Sequence, residues 1–220
     1  MLRKFTQTPF FLRKIHPYLV YVPGYTSYLL RRKSYLSRTG WFVTLRKSAS
    51  IDAEGQPLPW FTYSMIELLK ERLPRNLSIF EYGCGLGTLW WSEYASLLHA
   101  VEHEKEWADQ ITAQAPDQVS ILLREPGNSY VQSVGEKGLK YDVIIIDGRE
   151  RMACAKEAVK HLSEEGVIIF DDTSRPRYRR GIDLLRESGF KHLPFRGFSP
   201  IEFLPCETSL FYRGENILGI

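Results

Sequence analysis

The stretch Leu77-Ser78-Ile79-Phe80-Glu81-Tyr82-Gly83-Cys84-Gly85-Leu86-Gly87-Thr88 decides the fold. A short apolar run passes directly into a loop with glycine at alternate positions, and from Thr88 a helical pattern begins. The run reads as a buried strand. The glycines let the backbone turn tightly and approach a ligand, and the helix that follows points its free N-terminal amides at that ligand. The spacing over Gly83, Gly85 and Gly87 is G-x-G-x-G, whereas the dinucleotide fingerprint is G-x-G-x-x-G. Glu81 precedes the first glycine, and its carboxylate suits a cationic ligand end, such as an ammonium, better than a pyrophosphate. The bland alternative is a tight structural turn.

Working outward, short apolar runs alternate with helical stretches. The runs fall at 98–101, 119–123, 141–146 and 166–170, and the helical candidates at 88–97, 104–114, 150–162 and 177–188. Upstream, Phe61, Met65, Ile66, Leu68, Leu69 and Leu73 recur at helical spacing until Pro74. Val143-Ile144-Ile145-Ile146 and Val167-Ile168-Ile169-Phe170 do not alternate with polar residues, which marks strands buried on both faces of a parallel sheet. The pattern predicts a doubly wound α/β fold. At the end, 190–195 and 209–213 are strand candidates without a helix between them, and they predict an antiparallel edge.

Acids stand where these strands stop. Glu102 ends the second, near the offset of about 20 residues at which an acid takes a ribose. Asp147 ends the fourth and Asp171-Asp172 the fifth, so all three carboxylates face the crevice beside the glycine loop. Three roles stay open for them. They could bind a divalent metal, act as a general base on an acceptor hydroxyl, or cap helices and pair with Arg149, Arg151, Arg175 and Arg177.

The segment 79–88 with Glu102, 141–147 and 166–172 resembles class I S-adenosylmethionine-dependent methyltransferases over about residues 57–213. The resemblance implies a Rossmann-like seven-stranded sheet in the order 3-2-1-4-5-7-6 with the last strand antiparallel. It implies that Glu81, Gly83, Cys84, Gly85, Gly87 and Thr88 hold the methionine part of S-adenosylmethionine, and Glu102 the ribose. Catechol-type O-methyltransferases place Asp after strand four and Asp-Asn after strand five; here the second pair is Asp-Asp, and a divalent metal at Asp147, Asp171 and Asp172 is in doubt. Asp147-Gly148-Arg149, together with Asp171-Asp172 ahead of the arginine-rich stretch 175–180, looks like glycan O-methyltransferases. The implied activity is methyl transfer to an oxygen of a small-molecule or glycan acceptor, with Asp147, Asp171 and Asp172 as catalytic candidates. An aminopropyl transferase on the same fold is one alternative, and a non-catalytic scaffold subunit another. Strand four lacks the Asp/Asn-Pro-Pro-aromatic signature of amino-methylating enzymes, which argues against nucleic acid.

Composition narrows the class. With 220 residues, 44% hydrophobic and 25% charged, the chain suits one domain plus an extension and excludes whole-chain disorder. It holds no run of about 20 apolar residues. Cys84, Cys154 and Cys206 form no C-x-x-C pair, so no disulfide framework or zinc cluster is expected, and a reducing cytoplasmic setting is. Ten of the 29 Lys and Arg residues precede the first acid, Asp52. Residues 1–56 therefore read as a basic, aromatic-rich extension and 57–220 as the methyltransferase domain. With Phe5, Phe10, Phe11, Tyr18, Tyr21, Tyr25 and Tyr28 as apolar anchors, residues 1–50 are expected either to meet an anionic membrane surface or to fold over the crevice. Trp60 and the connection 196–207 are the lid candidates.

Overall fold

Runs of β-branched and aromatic residues fill the centre of a seven-stranded sheet. The structure, a computed structural model, describes residues 24–220; Phe5, Phe10, Phe11, Tyr18 and Tyr21 lie outside the described residues. The strands are β1 Leu77–Tyr82, β2 Ala95–Glu102, β3 Val119–Leu123, β4 Tyr141–Ile146, β5 Leu162–Asp171, β6 Lys191–Gly197 and β7 Cys206–Tyr212. Their order is β3-β2-β1-β4-β5-β7-β6. Pairing is parallel from β3 through β5, and β7 runs antiparallel to both β5 and β6. This is the doubly wound sheet with its reversed seventh strand, as the sequence predicts.

The unalternating runs behave as expected of doubly buried strands. Ile79, Val143, Ile145, Val167 and Ile169 enter one core, and Phe80, Ile144, Ile146, Ile168 and Phe170 the other. Helices cover both faces. The α-helices of the described residues are α1 Tyr25–Lys33, α2 Tyr35–Arg38, α3 Trp41–Lys47, α4 Tyr63–Arg72, α5 Leu86–Ser92, α6 Lys105–Thr112, α7 Asn128–Gln132, α8 Arg151–His161 and α9 Arg179–Glu187.

Several boundaries differ from the sequence reading, and those of the strands move because strand pairing overrides local pattern, as where β7 begins at Cys206 opposite Gly197 rather than at Ser209. The helix expected over 88–97 stops at Ser92, and β2 begins at Ala95, where it pairs with Leu77. Strand β5 begins at Leu162 rather than Gly166, because Leu162 pairs with Tyr141. The short helix α7 carries too few apolar positions to show a period.

The basic extension joins the body through α2 and α3: the Tyr35 ring meets Tyr63 edge-on at 6.4 Å, and Leu36, Phe42 and Leu45 pack against the core. No residue of α1 is buried, whereas α3 buries Trp41 and Thr44. Trp41 Nε1 donates to the Glu202 carbonyl at 2.8 Å, and Ile201 N donates to Thr44 Oγ1 at 2.9 Å. The Trp41 ring meets Phe198 and Phe203 edge-on, with centroids 5.7 and 5.4 Å away. Trp41 thereby belongs to the same core as Leu58, Phe61, Tyr63 and Trp91. Among the described residues no helix is long and apolar enough to cross a membrane.

Candidate functional site

The loops after β1, β2, β4 and β5 meet at one end of the sheet. Gly83 has φ 91°, and a Cβ there would stand 2.7 Å from the Gly148 Cα. A Cβ on Gly148 would in turn strike the Tyr130 hydroxyl. The two loops are thus packed backbone to backbone, which places Asp147 beside the glycine loop. Gly85 N donates to Thr88 Oγ1 at 2.9 Å, and the Thr88 hydroxyl donates to Glu81 Oε2. The Glu81 carboxyl is buried behind the loop, and desolvation pushes its pKa up to about 8. A Cβ on Gly87 would lie 3.1 Å from Pro59 Cα, so the segment before α4 closes over the loop.

Glu102 holds the loop from the other side. Its Oε2 accepts from Cys84 N at 3.1 Å, and its Oε1 accepts from His103 N and Glu104 N. His103 Nδ1 also reaches Oε1, while its Nε2 accepts from Arg149 Nε at 3.0 Å. A carboxylate oxygen has two lone pairs, so Oε2 keeps one for a ligand hydroxyl. The Cys84 thiol is buried and its pKa is raised by desolvation, so it does not act as a thiolate.

In front of the loop lies a cavity of about 470 Å³ lined by Glu81, Gly83, Gly85, Trp60, Trp107 and Asp147. Ser48, Ala49 and Ser50 of the extension and Ile201 complete the wall. The Ser50 hydroxyl is buried without a hydrogen-bond partner among the described residues. A smaller cavity of about 330 Å³ continues past Glu102, His103 and Trp107. A third, of about 480 Å³, lies on the other side of Asp147 and is bounded by Trp60, Asp171, Asp172, Arg175 and Glu202. Trp60, 45% exposed, stands in the wall of the first and the third, as a lid would.

The three aspartates converge, but around a guanidinium. Arg151 reaches Asp147 Oδ1 at 2.8 Å, Asp172 Oδ2 at 3.1 Å and Asp171 Oδ2 at 3.9 Å. Arg175 holds the other Asp172 oxygen at 2.9 Å, and Thr208 Oγ1 donates to Asp171 Oδ1 at 2.6 Å. Among the described residues no group of His, Cys, Asp and Glu is placed to hold a metal ion. The position a metal would take is filled by the Arg151 fork, so these residues do not fit one. Burial pushes the Asp147 pKa up to about 6 against the pull of Arg151. Burial and the charges of Asp147 and Asp172 push Asp171 well above its usual range.

Every cofactor candidate of the sequence reading surrounds the glycine loop, and the three catalytic candidates share one cluster. Sequence reasoning missed Ser50, His103 and Trp107. Only His103, adjacent to Glu102, carried a signal. Trp107 Nε1 donates to the Cys84 carbonyl at 2.7 Å, a contact no spacing announces. The aromatics nearest the glycine loop and Trp60 in sequence, Trp90, Trp91, Phe61 and Tyr63, belong to the core.

No family model matches the chain, and no curated protein matches it in sequence. Solved structures do match. Precorrin-6y C5,15-methyltransferase from Geobacter metallireducens superposes with a TM-score of 0.55 at 15% identity, covering 68% of this chain and 87% of that one. The N-methyltransferase NodS from Bradyrhizobium japonicum, in complex with S-adenosylhomocysteine, gives 0.51 at 17%, covering 80% and 100%. A methyltransferase-like protein from Silicibacter pomeroyi gives 0.51 at 20%, covering 73% and 91%. The described chain has the Rossmann-like fold of the class I S-adenosylmethionine-dependent methyltransferases.

Proposed function

We propose that this protein is an S-adenosylmethionine-dependent methyltransferase acting on an oxygen of a small-molecule or glycan acceptor. The observation that carries the reading is the place of Asp147, whose carboxylate lines both the cavity before the glycine loop and the one beyond it. The first cavity fits the cofactor. Its buried acid, Glu81, awaits a cationic group, the orphaned Ser50 hydroxyl awaits a polar partner, and Oε2 of Glu102 keeps a lone pair for a ribose hydroxyl.

When bound, S-adenosylmethionine supplies a methyl group on a sulfonium, a leaving group that needs no acid. The chain's own residues handle the acceptor. Arg151 holds Asp147 Oδ1, which leaves Oδ2 to take the hydroxyl proton as the C–O bond forms and the C–S bond breaks. Trp60 and the 201–205 segment narrow the path by which water reaches the reacting atoms. Positioning of the acceptor in line with the methyl supplies much of the rate.

Calorimetry with S-adenosylhomocysteine tests the reading. Wild type should bind it and Glu102→Ala should bind it more weakly, whereas a preference for NAD over both adenosyl ligands would sink the proposal.

A further inference from the structure

A groove of about 670 Å³ adjoins the acceptor cavity and shares Ser174 and Arg175 with it. The two differ in charge. The acceptor cavity is bounded by Asp147, Asp171, Asp172 and Glu202 against Arg151 and Arg175. The groove presents Arg175, Arg179 and Arg196 against one carboxylate, Glu207, and adds His192.

We propose that this groove holds a phosphate carried by the acceptor, so that the substrate is a hydroxylated molecule bearing a phosphate monoester or diester. The inference rests on the acceptor cavity assigned above and names the class of molecule that fits it. The hydroxyl enters the acidic cavity and the phosphate stays in the groove. Carboxylates repel a phosphate from the reacting end, and guanidiniums attract it outside, so the charge pattern fixes which end of the substrate faces the methyl donor.

Arg175 is held by Asp172 at 2.9 Å, whereas the other two groove arginines are free to make such contacts. Arg179 and Arg196 are 69% and 70% exposed, and their carboxylate partners, Asp183 and Glu207, stand 3.4 and 3.7 Å away. Exposed pairs of that length hold little energy. A guanidinium fork binds two phosphate oxygens at once, and a phosphate displaces such partners readily. The sequence concentrates the charge further. Arg175-Pro176-Arg177-Tyr178-Arg179-Arg180 contains four arginines and no acid, and the turn Pro176–Tyr178 leads into α9 beside the groove. Of these arginines, Arg175 and Arg179 line the groove, while Arg177 lies over the Tyr178 ring. Arg186 donates to His192 Nδ1 at 2.8 Å, so another guanidinium backs the groove wall.

The test uses the full chain and inorganic pyrophosphate, followed by calorimetry at low salt. Wild type should bind pyrophosphate saturably. The double variant Arg179→Glu/Arg196→Glu should bind it about tenfold more weakly or worse, the loss expected when charge-assisted hydrogen bonds are removed. A control with the same charge change outside the groove, Arg72→Glu/Lys156→Glu, should stay within about twofold. S-adenosylhomocysteine affinity, measured in parallel, should be equal in all three proteins. Its absence in wild type would count against the methyltransferase reading while pyrophosphate still judges the groove. Two further arms identify the source of the phosphate. Competition by a hexose phosphate supports a soluble acceptor, and groove-dependent binding to phosphatidylglycerol vesicles supports a lipid-borne one. The proposal is overturned if wild type does not bind pyrophosphate, or if the control variant loses as much as the groove variant. It is also overturned if a single-stranded oligonucleotide binds through the groove while pyrophosphate and hexose phosphate do not.

Discussion

Glu81 and Asp147 are two carboxyls in one cavity wall, and burial lifts both, to about 8 and about 6. For Glu81 the consequence is a trade between stability and binding. Folding raises its pKa, so its contribution to stability is full below the unfolded value of 4.5 and is lost as pH rises through about 8. Glu81→Gln keeps an acceptor for the Thr88 hydroxyl and removes the buried charge. Its melting temperature should therefore exceed that of wild type by a margin that grows between pH 5 and 8, worth on the order of 1–3 kcal/mol. On the proposed function, the same variant should lose S-adenosylmethionine affinity, since the carboxylate lines the cavity that would take the ligand's cationic end. Scanning calorimetry across pH and ligand titration check the two halves. Asp147 makes a different prediction. A base works ionised, so kcat should rise through pH about 6 and level above it. Asp147→Asn should lose transfer by about 100-fold or more while S-adenosylhomocysteine affinity stays near wild type. An unchanged turnover number in Asp147→Asn would remove the general-base role.

The strand–loop–helix unit shows what a sequence makes legible and what it hides. Gly83 was readable as a turn glycine because it ends an apolar run, and its φ of 91° agrees. That its missing Cβ makes room for Gly148 was not readable, because the partner lies 65 positions along the chain. The acids Glu102, Asp147 and Asp171 were legible for the same local reason, each standing where an apolar run stops. The partners of the aspartates were legible only as a set of four arginines, from which the fold takes Arg151 and Arg175. Arg151 could pair with any of several acids until the fold brought Asp147 and Asp172 to its two amino groups. Two glycines separate these contributions. Gly189 has φ 87° with no atom within 4 Å of an added Cβ, whereas at Gly83 the Cβ meets backbone. Gly189→Ala should cost about 1 kcal/mol of backbone strain, and Gly83→Ala about 3 kcal/mol or more, together with adenosyl-ligand binding. Urea unfolding of the two variants measures the difference. Equal losses would mean that the loop relaxes away from Gly148.

At the scale of the whole molecule, the extension that composition sets apart supplies part of the cavity wall. Ser48, Ala49 and Ser50 reach the cavity because α3 is anchored by Trp41 to the 198–203 segment. Trp41→Ala should cost about 3–5 kcal/mol and weaken S-adenosylhomocysteine binding, while Trp41→Phe, which keeps the ring packing, should recover most of both. Denaturant midpoints and calorimetry report the two effects. Loss of stability with unchanged ligand affinity would show that the wall holds without its anchor.

The placing of β7 between β5 and β6 bears on how the chain is made. A ribosome releases β6 first, yet β6 pairs only with β7 and has no seat on the sheet until the later strand arrives. Meanwhile the edge of β5, Ile168-Ile169-Phe170, stands open, an apolar strand with unpaired amides of the kind that recruits other chains. The ligand cavity is late as well, since Ile201 of its wall is fixed by a bond to Thr44 across 157 positions. A nascent chain halted before Cys206 is thus adhesive. The few seconds between the emergence of β5 and that of β7, at about 5–20 residues per second, are when this chain has most need of a chaperone.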